Sequence, residues 1–310
     1  MQTNAFTSSA TARPDPRPAG RTGPSATASP VVNALSVDVE EWFQVGAFET
    51  CIDRADWDTL ESRVEANTGR VLDLFAQAGV RGTFFTLGWV AARKPALIRR
   101  IVDAGHELAS HGWDHKRVHR MGALEFGEDL KRARQTLEDA GGVAVTGYRA
   151  PSFSIDARTP WAHPILAEQG YAYSSSVAPV AHDHYGWPDA PRFAFRPLAD
   201  DRLIELPVAT VSVAVRRTVA GGGGFLRMLP YRFSRWALRS LNGEGRPAAI
   251  YFHPWEVDPD QPRVAHAPLR SRIRHYSRLH AMEGKVARLL SDFRWDRTDR
   301  VVAAEAARLP

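Results

Sequence analysis

The chain has 310 residues, 44 % of them apolar, and nine tryptophans, enough to bury a sizeable core in one large domain or two modest ones. No run approaches the ~20 apolar residues of a membrane span, and the single cysteine, Cys51, excludes an internal disulfide and fits a reducing compartment. Forty Lys and Arg against 35 Asp and Glu give a formal charge of +5; the arginines are scattered among acids, densest at Arg99-Arg100, Arg216-Arg217 and Arg270 to Arg274. That pattern carries no nucleic-acid motif and leaves room only for weak attraction to an anionic membrane surface or an acidic glycan.

Residues 1–30 are rich in Ala, Thr, Ser, Pro and Arg, cannot build a core, and read as a disordered tail that folding and catalysis do not need. They hold no continuous apolar stretch of the secretory kind, so the expected location is cytoplasmic. Residues 33–39 read as a buried strand. Leu60, Val64, Val71, Leu72 and Phe75 have helical spacing, with Gly79 as the stop. A second apolar strand spans 82–87, a short helix 95–104 ends at Gly105, and a short strand 107–110 runs into a pair of histidines. Residues 124–137 form a charged amphipathic helix closed by Gly141-Gly142. Strands at 145–148 and 171–174 flank a helix at 165–169. Residues 188–215 are irregular and strand-like, and Gly221 to Gly224 is a loop without the Lys and Ser/Thr of a phosphate-binding loop. A last apolar strand, 248–252, leads into His253, and 276–293 reads as a terminal helix with Leu279, Met282, Val286, Leu289 and Leu290 on one side. Alternating strands and helices argue for a parallel α/β architecture, and each chemically loaded segment directly follows a strand.

Two imidazoles, His111 and His115, stand at i, i+4, and on a helical turn both rings would share a face. Most such pairs are ordinary surface or core histidines. Asp38 and Glu40 stand at i, i+2 of the first strand and point to one side, with Val37 and Val39 on the packed side. Carboxylates at the end of a buried strand are costly unless they hold a metal, a proton or a cation; an N-cap or an arginine pair is the bland alternative. Glu41 reads as the exposed member of this set. Together these groups suffice for an open catalytic metal site with a base beside it. Arg149, before Ala150-Pro151-Ser152, can hold a carboxylate by its fork. His253, at a strand end, is either a general acid or a satisfied core histidine, and Trp255 offers a face for a sugar ring.

Val37-Asp38-Val39-Glu40, Ser110-His111-Gly112-Trp113-Asp114-His115, Tyr148-Arg149-Ala150-Pro151 and Phe252-His253-Pro254-Trp255 occur in the order of the polysaccharide deacetylases, the NodB-homology family 4 of carbohydrate esterases. The resemblance covers roughly residues 31–255, and is greatest to the branch linked to bacterial exopolysaccharide loci. That branch resembles this chain in Glu41-Trp42-Phe43, in Gly221-Gly222-Gly223-Gly224-Phe225, in Glu256 and in a C-terminal extension, here about 256–310. It implies a distorted (β/α) barrel over residues 31–310. It also implies roles: Asp38 as general base, Glu40, His111 and His115 as ligands of a divalent metal of the Zn²⁺ type, and Arg149 orienting Asp38. The backbone N–H of Ser152 would complete an oxyanion hole, and His253 would protonate the leaving amine. The family's first motif has two adjacent aspartates, so Asp38-Val39-Glu40 leaves open which acid binds metal and which takes the proton. Ser152 stands where the family has Tyr, which moves the expected aromatic wall of the sugar groove to Phe153. The fourth motif is matched only loosely, by Ser174-Ser175-Ser176 and by residues 182–186, with Asp183 as candidate partner of His253.

The implied reaction is hydrolytic N-deacetylation of an amino sugar in an oligo- or polysaccharide, with acetate and a free amine as products. A hydrolase of a small cyclic amide or a formyl group on the same barrel is the runner-up, and a non-catalytic glycan-binding barrel is the reading from another class. Retention of both acids, both histidines and His253 argues against the last.

Overall fold

The computed structural model describes residues 1–2, 31–182, 185–200, 202–214 and 216–309. The expected tail therefore lies, from residue 3 on, outside the described residues, as does Asp183. Residues 31–310 form one compact unit.

The apolar run after residue 31 becomes β1 (Val32–Val39), and the sheet is assembled against it. The further strands are β2 (Thr83–Thr86), β3 (Glu107–Ser110), β4 (Gly147–Tyr148), β5 (Tyr173–Ser174), β6 (Ile204–Glu205), β7 (Thr210–Val213), β8 (Arg216–Val219), β9 (Ala249–Phe252) and β10 (Arg294–Asp296). β1 pairs in parallel with β2 through Ser36–Val39, with β9 through Ala34–Val37, and with β10 through Val32–Ala34. β2 to β6 then follow in chain order, each parallel to the last. Because β1 is covered on every side, its residues from Asn33 onward are buried, and Leu35, Val37 and Val39 face the helices in one apolar cluster with Phe75, Phe84 and Phe252.

No strand pairs β6 with β9 among the described residues. Irregular backbone closes that side: the Ala209 N–H donates to the Ala249 carbonyl at 3.0 Å and the Tyr251 N–H to the Gly221 carbonyl at 2.7 Å. β7 and β8 form a separate antiparallel pair that interrupts the alternation of strand and helix. The architecture is a distorted (β/α) barrel. Its helices include Val64–Ala78, Pro95–Asp103, Ala123–Gly141, Ala162–Glu168, Tyr231–Gly243 and Met282–Asp292. Strand ends at β1, β3, β4 and β9 bring Asp38, Glu40, His111, Arg149 and His253 to one end of the barrel.

Several expected elements change. Leu60 lies outside the first long helix, in extended backbone after the short turn Arg54–Thr59. The helix expected over 276–293 is confined to Met282–Asp292 after a short turn, Leu279–Ala281; an earlier helix, Leu269–Tyr276, ends where it was expected to start, and Arg278 between them takes a left-handed φ of 57°. The apolar side expected there still holds, since Leu279, Met282, Val286, Leu289 and Leu290 are all buried. Nor does the chain end in that helix: β10 and the helix Thr298–Ala306 follow. The region from 256 onward packs into the sheet: β10 pairs with β1, and the Thr298 N–H donates to Thr83 Oγ1 at 2.7 Å. The helix Tyr231–Gly243 was not assigned from sequence, although Tyr231, Ser234, Ala237, Leu238 and Leu241 give it a buried stripe.

The glycine run is a packing device. Gly223 and Gly224 open the helix Gly223–Met228 instead of looping. A Cβ on Gly221 would overlap the Ala249 carbonyl oxygen, which is backbone and cannot swing aside, whereas a Cβ on Gly224 would meet nothing. Gly221→Ala is therefore expected to cost about 1–3 kcal/mol of stability as an overpacked site. Gly224→Ala should be neutral or stabilising by up to about 1 kcal/mol through helix propensity. Denaturant midpoints of the two variants beside the wild type check this; equal midpoints would refute the packing account.

Candidate active site

β1 ends at Val39, and Glu40 turns from it into the barrel mouth. Its carboxylate is buried: Oε1 accepts from Trp255 Nε1 at 3.2 Å and lies 3.6 Å from His253 Nε2. Glu40 Oε2 lies 3.0 Å from His115 Nε2 yet accepts no hydrogen bond. His111 follows β3 directly. Its Nδ1 stands 2.8 Å from the Arg149 carbonyl, which can only accept, so Nδ1 carries the proton and Nε2 keeps its lone pair. Glu40, His111 and His115 each offer a ligand atom, all within 4.8 Å of one another.

The helical turn expected to align the two histidines does not form. Gly112 has φ 74° and His115 φ 60°, both left-handed. Tertiary bonds override the spacing. The Gly112 and Trp113 carbonyls accept from the Gly88 and Trp89 N–H groups at 2.9 Å, and the Asp129 carboxylate takes the Trp113 N–H at 3.2 Å.

Burial pushes the Glu40 carboxyl up to about 7 and drags His111 down to about 4 and His115 well below the ordinary imidazole value. Neutral imidazoles and a carboxylate that is costly to ionise without a counter-charge make the donor set of a cation site. The unpartnered buried Glu40 oxygen, facing an imidazole nitrogen, fits a divalent metal.

Asp38 is held by a buried ion pair, with Arg149 Nη1 2.7 Å from Oδ1. Arg149 is in turn fixed at every arm. Nη1 donates to Ser36 Oγ at 2.7 Å, Nε to the Ser175 carbonyl at 3.0 Å and Nη2 to Ser175 Oγ at 2.9 Å, while the guanidinium lies 4.0 Å from the Phe85 ring centre. Ser175 thus anchors the arginine, and Ser176 Oγ accepts from the adjacent Ala150 N–H at 2.9 Å. After Pro151, Ser152 and Phe153 both adopt left-handed φ, 54° and 49°, a conformation that costs non-glycine residues roughly 1–3 kcal/mol each.

Phe153 is only 3 % exposed and packs on Tyr251 at 4.7 Å, so it does not form the open aromatic wall expected of it. Trp255 is corrected likewise. It is 6 % exposed, stacks on the rings of His253 at 5.1 Å and His275 at 4.1 Å, and offers no open face to a sugar. Glu41 is buried rather than exposed, because the chain turns back after Glu40. It accepts from Ser62 Oγ at 2.5 Å and from the Arg63 N–H at 3.0 Å, next to the positive end of the helix Val64–Ala78.

His253 has a partner that sequence reasoning missed. Glu256 Oε2 accepts from His253 Nδ1 at 3.0 Å and from its backbone N–H at 3.1 Å, closing a capping box over the short turn Pro254–Val257. The spacing of an acid three residues after the histidine was the available signal. Glu256 Oε1 accepts from the buried Arg227 Nε at 3.1 Å, and Arg227 spans to the carbonyls of Arg274, at 2.7 Å, and Ser277. A Cβ on Gly223 would overlap Glu256 Oε2, so the glycine makes room for this carboxylate. Burial alone would lower the His253 imidazole, but the carboxylates of Glu40, Glu256 and Asp38 outweigh it and hold the ring at about 9. The geometry therefore sets a carboxylate-paired imidazole opposite an arginine-bound carboxylate, with the Glu40, His111 and His115 cluster between them.

The polysaccharide deacetylase profile matches residues 54–174, and a domain of unknown function, DUF3473, matches 175–303. The deacetylase match stops short of half of the chain, and it is residues 54–174 that resemble the polysaccharide deacetylases. Asp38 and Glu40 precede the deacetylase match, and His253 and Glu256 lie in the second. The chain is 31 % identical over 144 residues to a chitooligosaccharide deacetylase of Bradyrhizobium, which covers 46 % of this chain and 59 % of that one. It is 31 % identical over 89 residues to a peptidoglycan-N-acetylglucosamine deacetylase of Listeria monocytogenes, covering 29 % of this chain and 19 % of the relative. The chain thus spans about a fifth to three fifths of the length of these two relatives. A Mycobacterium smegmatis protein of the polysaccharide deacetylase type shares the fold, with a TM-score of 0.62 at 22 % identity over 92 % of this chain and 96 % of that one.

If the three-ligand reading is right, the purified chain binds about one divalent ion. His111→Ala and His115→Ala should each lose at least tenfold in metal affinity by titration. Unchanged affinity in both variants would remove the site.

Proposed function

We propose that the chain is a metal-dependent hydrolase that removes the acetyl group from an N-acetylated amino sugar of a bacterial polysaccharide, or of its precursor. The observation that carries the reading is the buried Arg149–Asp38 pair on one side of the Glu40, His111 and His115 cluster, with the Glu256–His253 pair on the other. Amide hydrolysis needs this polarity: water must lose a proton on one side and a poor leaving group must gain one on the other. The relatives' substrates, N-acetylglucosamine in peptidoglycan and a chitooligosaccharide, support the choice of an N-acetylated glycan. The resemblance to the exopolysaccharide branch supports that setting. Among the described residues no helix is long and apolar enough to cross a membrane.

Glu40, His111 and His115 would hold the metal, best matched by Zn²⁺, which when bound polarises the acetyl carbonyl and eases deprotonation of water. Asp38 accepts the water proton while Arg149 keeps its carboxylate aimed. The backbone N–H of Ser152 donates to the developing oxyanion, its direction fixed by the left-handed turn. His253 Nε2 gives its proton to the departing amine, and Glu256 holds Nδ1–H so that the other nitrogen faces the site. The C–N bond breaks, and acetate and the free amine leave.

Acetate release from an N-acetylated chitooligosaccharide by the metal-loaded chain tests the activity. Turnover of a small cyclic amide without glycan deacetylation would favour the runner-up. Asp38→Asn should keep the metal and lose about 10²-fold or more in kcat, since an amide cannot take the proton; Glu40→Gln should weaken metal binding. The reverse pattern in metal analysis and kinetics would exchange the two roles.

His253→Ala should lose amide hydrolysis by about 10²–10⁴-fold while largely sparing an activated ester, whose leaving group needs no proton. Glu256→Gln should show the same amide-selective defect more mildly, with KM little changed. Equal damage to ester and amide in both variants would make the pair structural.

A further inference from the structure

An acid-free, arginine-rich segment lies beside the site. Residues 261–282 carry five arginines, Arg263, Arg270, Arg272, Arg274 and Arg278, and no acid. Residues 216–239, with six arginines and no acid, are equally basic, so what sets 261–282 apart is the exposed aliphatic pair on its helix. The helix Leu269–Tyr276 sits in this stretch. Leu269 is 68 % and Ile273 52 % exposed, and their i, i+4 spacing puts both on one face. Arg270 and Arg272 flank them, exposed and in no ion pair among the described residues.

We propose that this helix docks the protein on an anionic lipid bilayer, with Leu269 and Ile273 in the headgroup boundary and the arginines on lipid phosphates. Isolated exposed leucines are ordinary. A pair of aliphatics within an acid-free arginine segment matches the two attractions of an interfacial helix, apolar burial and lipid charge. A soluble acidic polymer would satisfy the arginines but leave both aliphatic side chains in water, so the bilayer fits better. The helix is also rigidly tied to the site. His275 is buried and stacks on Trp255, which stacks on His253, and the Arg274 carbonyl accepts from Arg227, the residue that holds Glu256. Docking there would set the barrel mouth beside the headgroups. The inference does not depend on which bond the site cleaves.

Flotation of the full chain with vesicles tests it. At about 0.1 M salt the chain should float with phosphatidylcholine vesicles containing phosphatidylglycerol, and not with phosphatidylcholine alone. Arg270→Gln with Arg272→Gln should lower partition roughly 30-fold, from about 1 kcal/mol per arginine. Leu269→Ser with Ile273→Ser should lower it at least about tenfold. Arg216→Gln with Arg239→Gln, exposed positions elsewhere, should leave it within about threefold, since the charge removed is the same but lies off the docking face. Circular dichroism confirms that each variant is folded. Absence of flotation with the anionic vesicles would overturn the proposal. So would wild-type flotation of the serine variant, which would show that Leu269 and Ile273 take no part, or an equal loss in the control pair.

Discussion

The site depends on keeping the Glu40 carboxylate out of water. It sits at the end of the strand that three others flank, and it touches His115, His253 and Trp255 at once. An ionised carboxylate in such a place is stable only beside positive charge. His253 stands 3.6 Å away on one side, and a cation held together with His111 and His115 would supply charge on the other. The neighbouring Asp38 has its own counter-ion in Arg149, so the two acids, one residue apart, answer to different cations. That division is the one the proposed roles require, a ligand in Glu40 and a proton acceptor in Asp38.

The surrounding rigidity follows from the same demand. Arg149 has each nitrogen bonded, His111 has its tautomer set by a backbone carbonyl, and His253 has its ring pinned through Nδ1. Each contact uses backbone or a buried side chain, so the functional atoms have little freedom to turn. The strained Ser152-Phe153 turn belongs to this set, held by packing of Phe153 against Tyr251.

Much of this could be read from the chain itself, and the pattern of what could not is physical. Strand ends were legible because apolar runs stop where charged residues begin, as at Val39-Glu40 and Ser110-His111. The residues expected to meet, Asp38, Glu40, His111, His115, Arg149 and His253, do lie together. The His111 to His115 backbone was misjudged because spacing speaks of helical faces, while bonds to Gly88, Trp89 and Asp129 decide the loop. Trp255 and Phe153 were expected at the surface because an aromatic residue near a site suggests a sugar platform; burial is a property of neighbours distant in sequence. Glu41 failed for the same reason. Glu256 was visible as a capping pattern but had no claim on function until Arg227 and Gly223 were seen around it.

The ties between β1 and the last quarter of the chain have a consequence for how the protein comes into being. β1 and one of its partners, β10, lie some 260 residues apart in the chain by register. The carboxylate that holds His253 is likewise steadied, through Arg227, by carbonyls at 274 and 277. Contacts of such long range form late. The pocket that pins His253 is therefore among the last parts of the fold to assemble, after β1 has paired with its nearer neighbours.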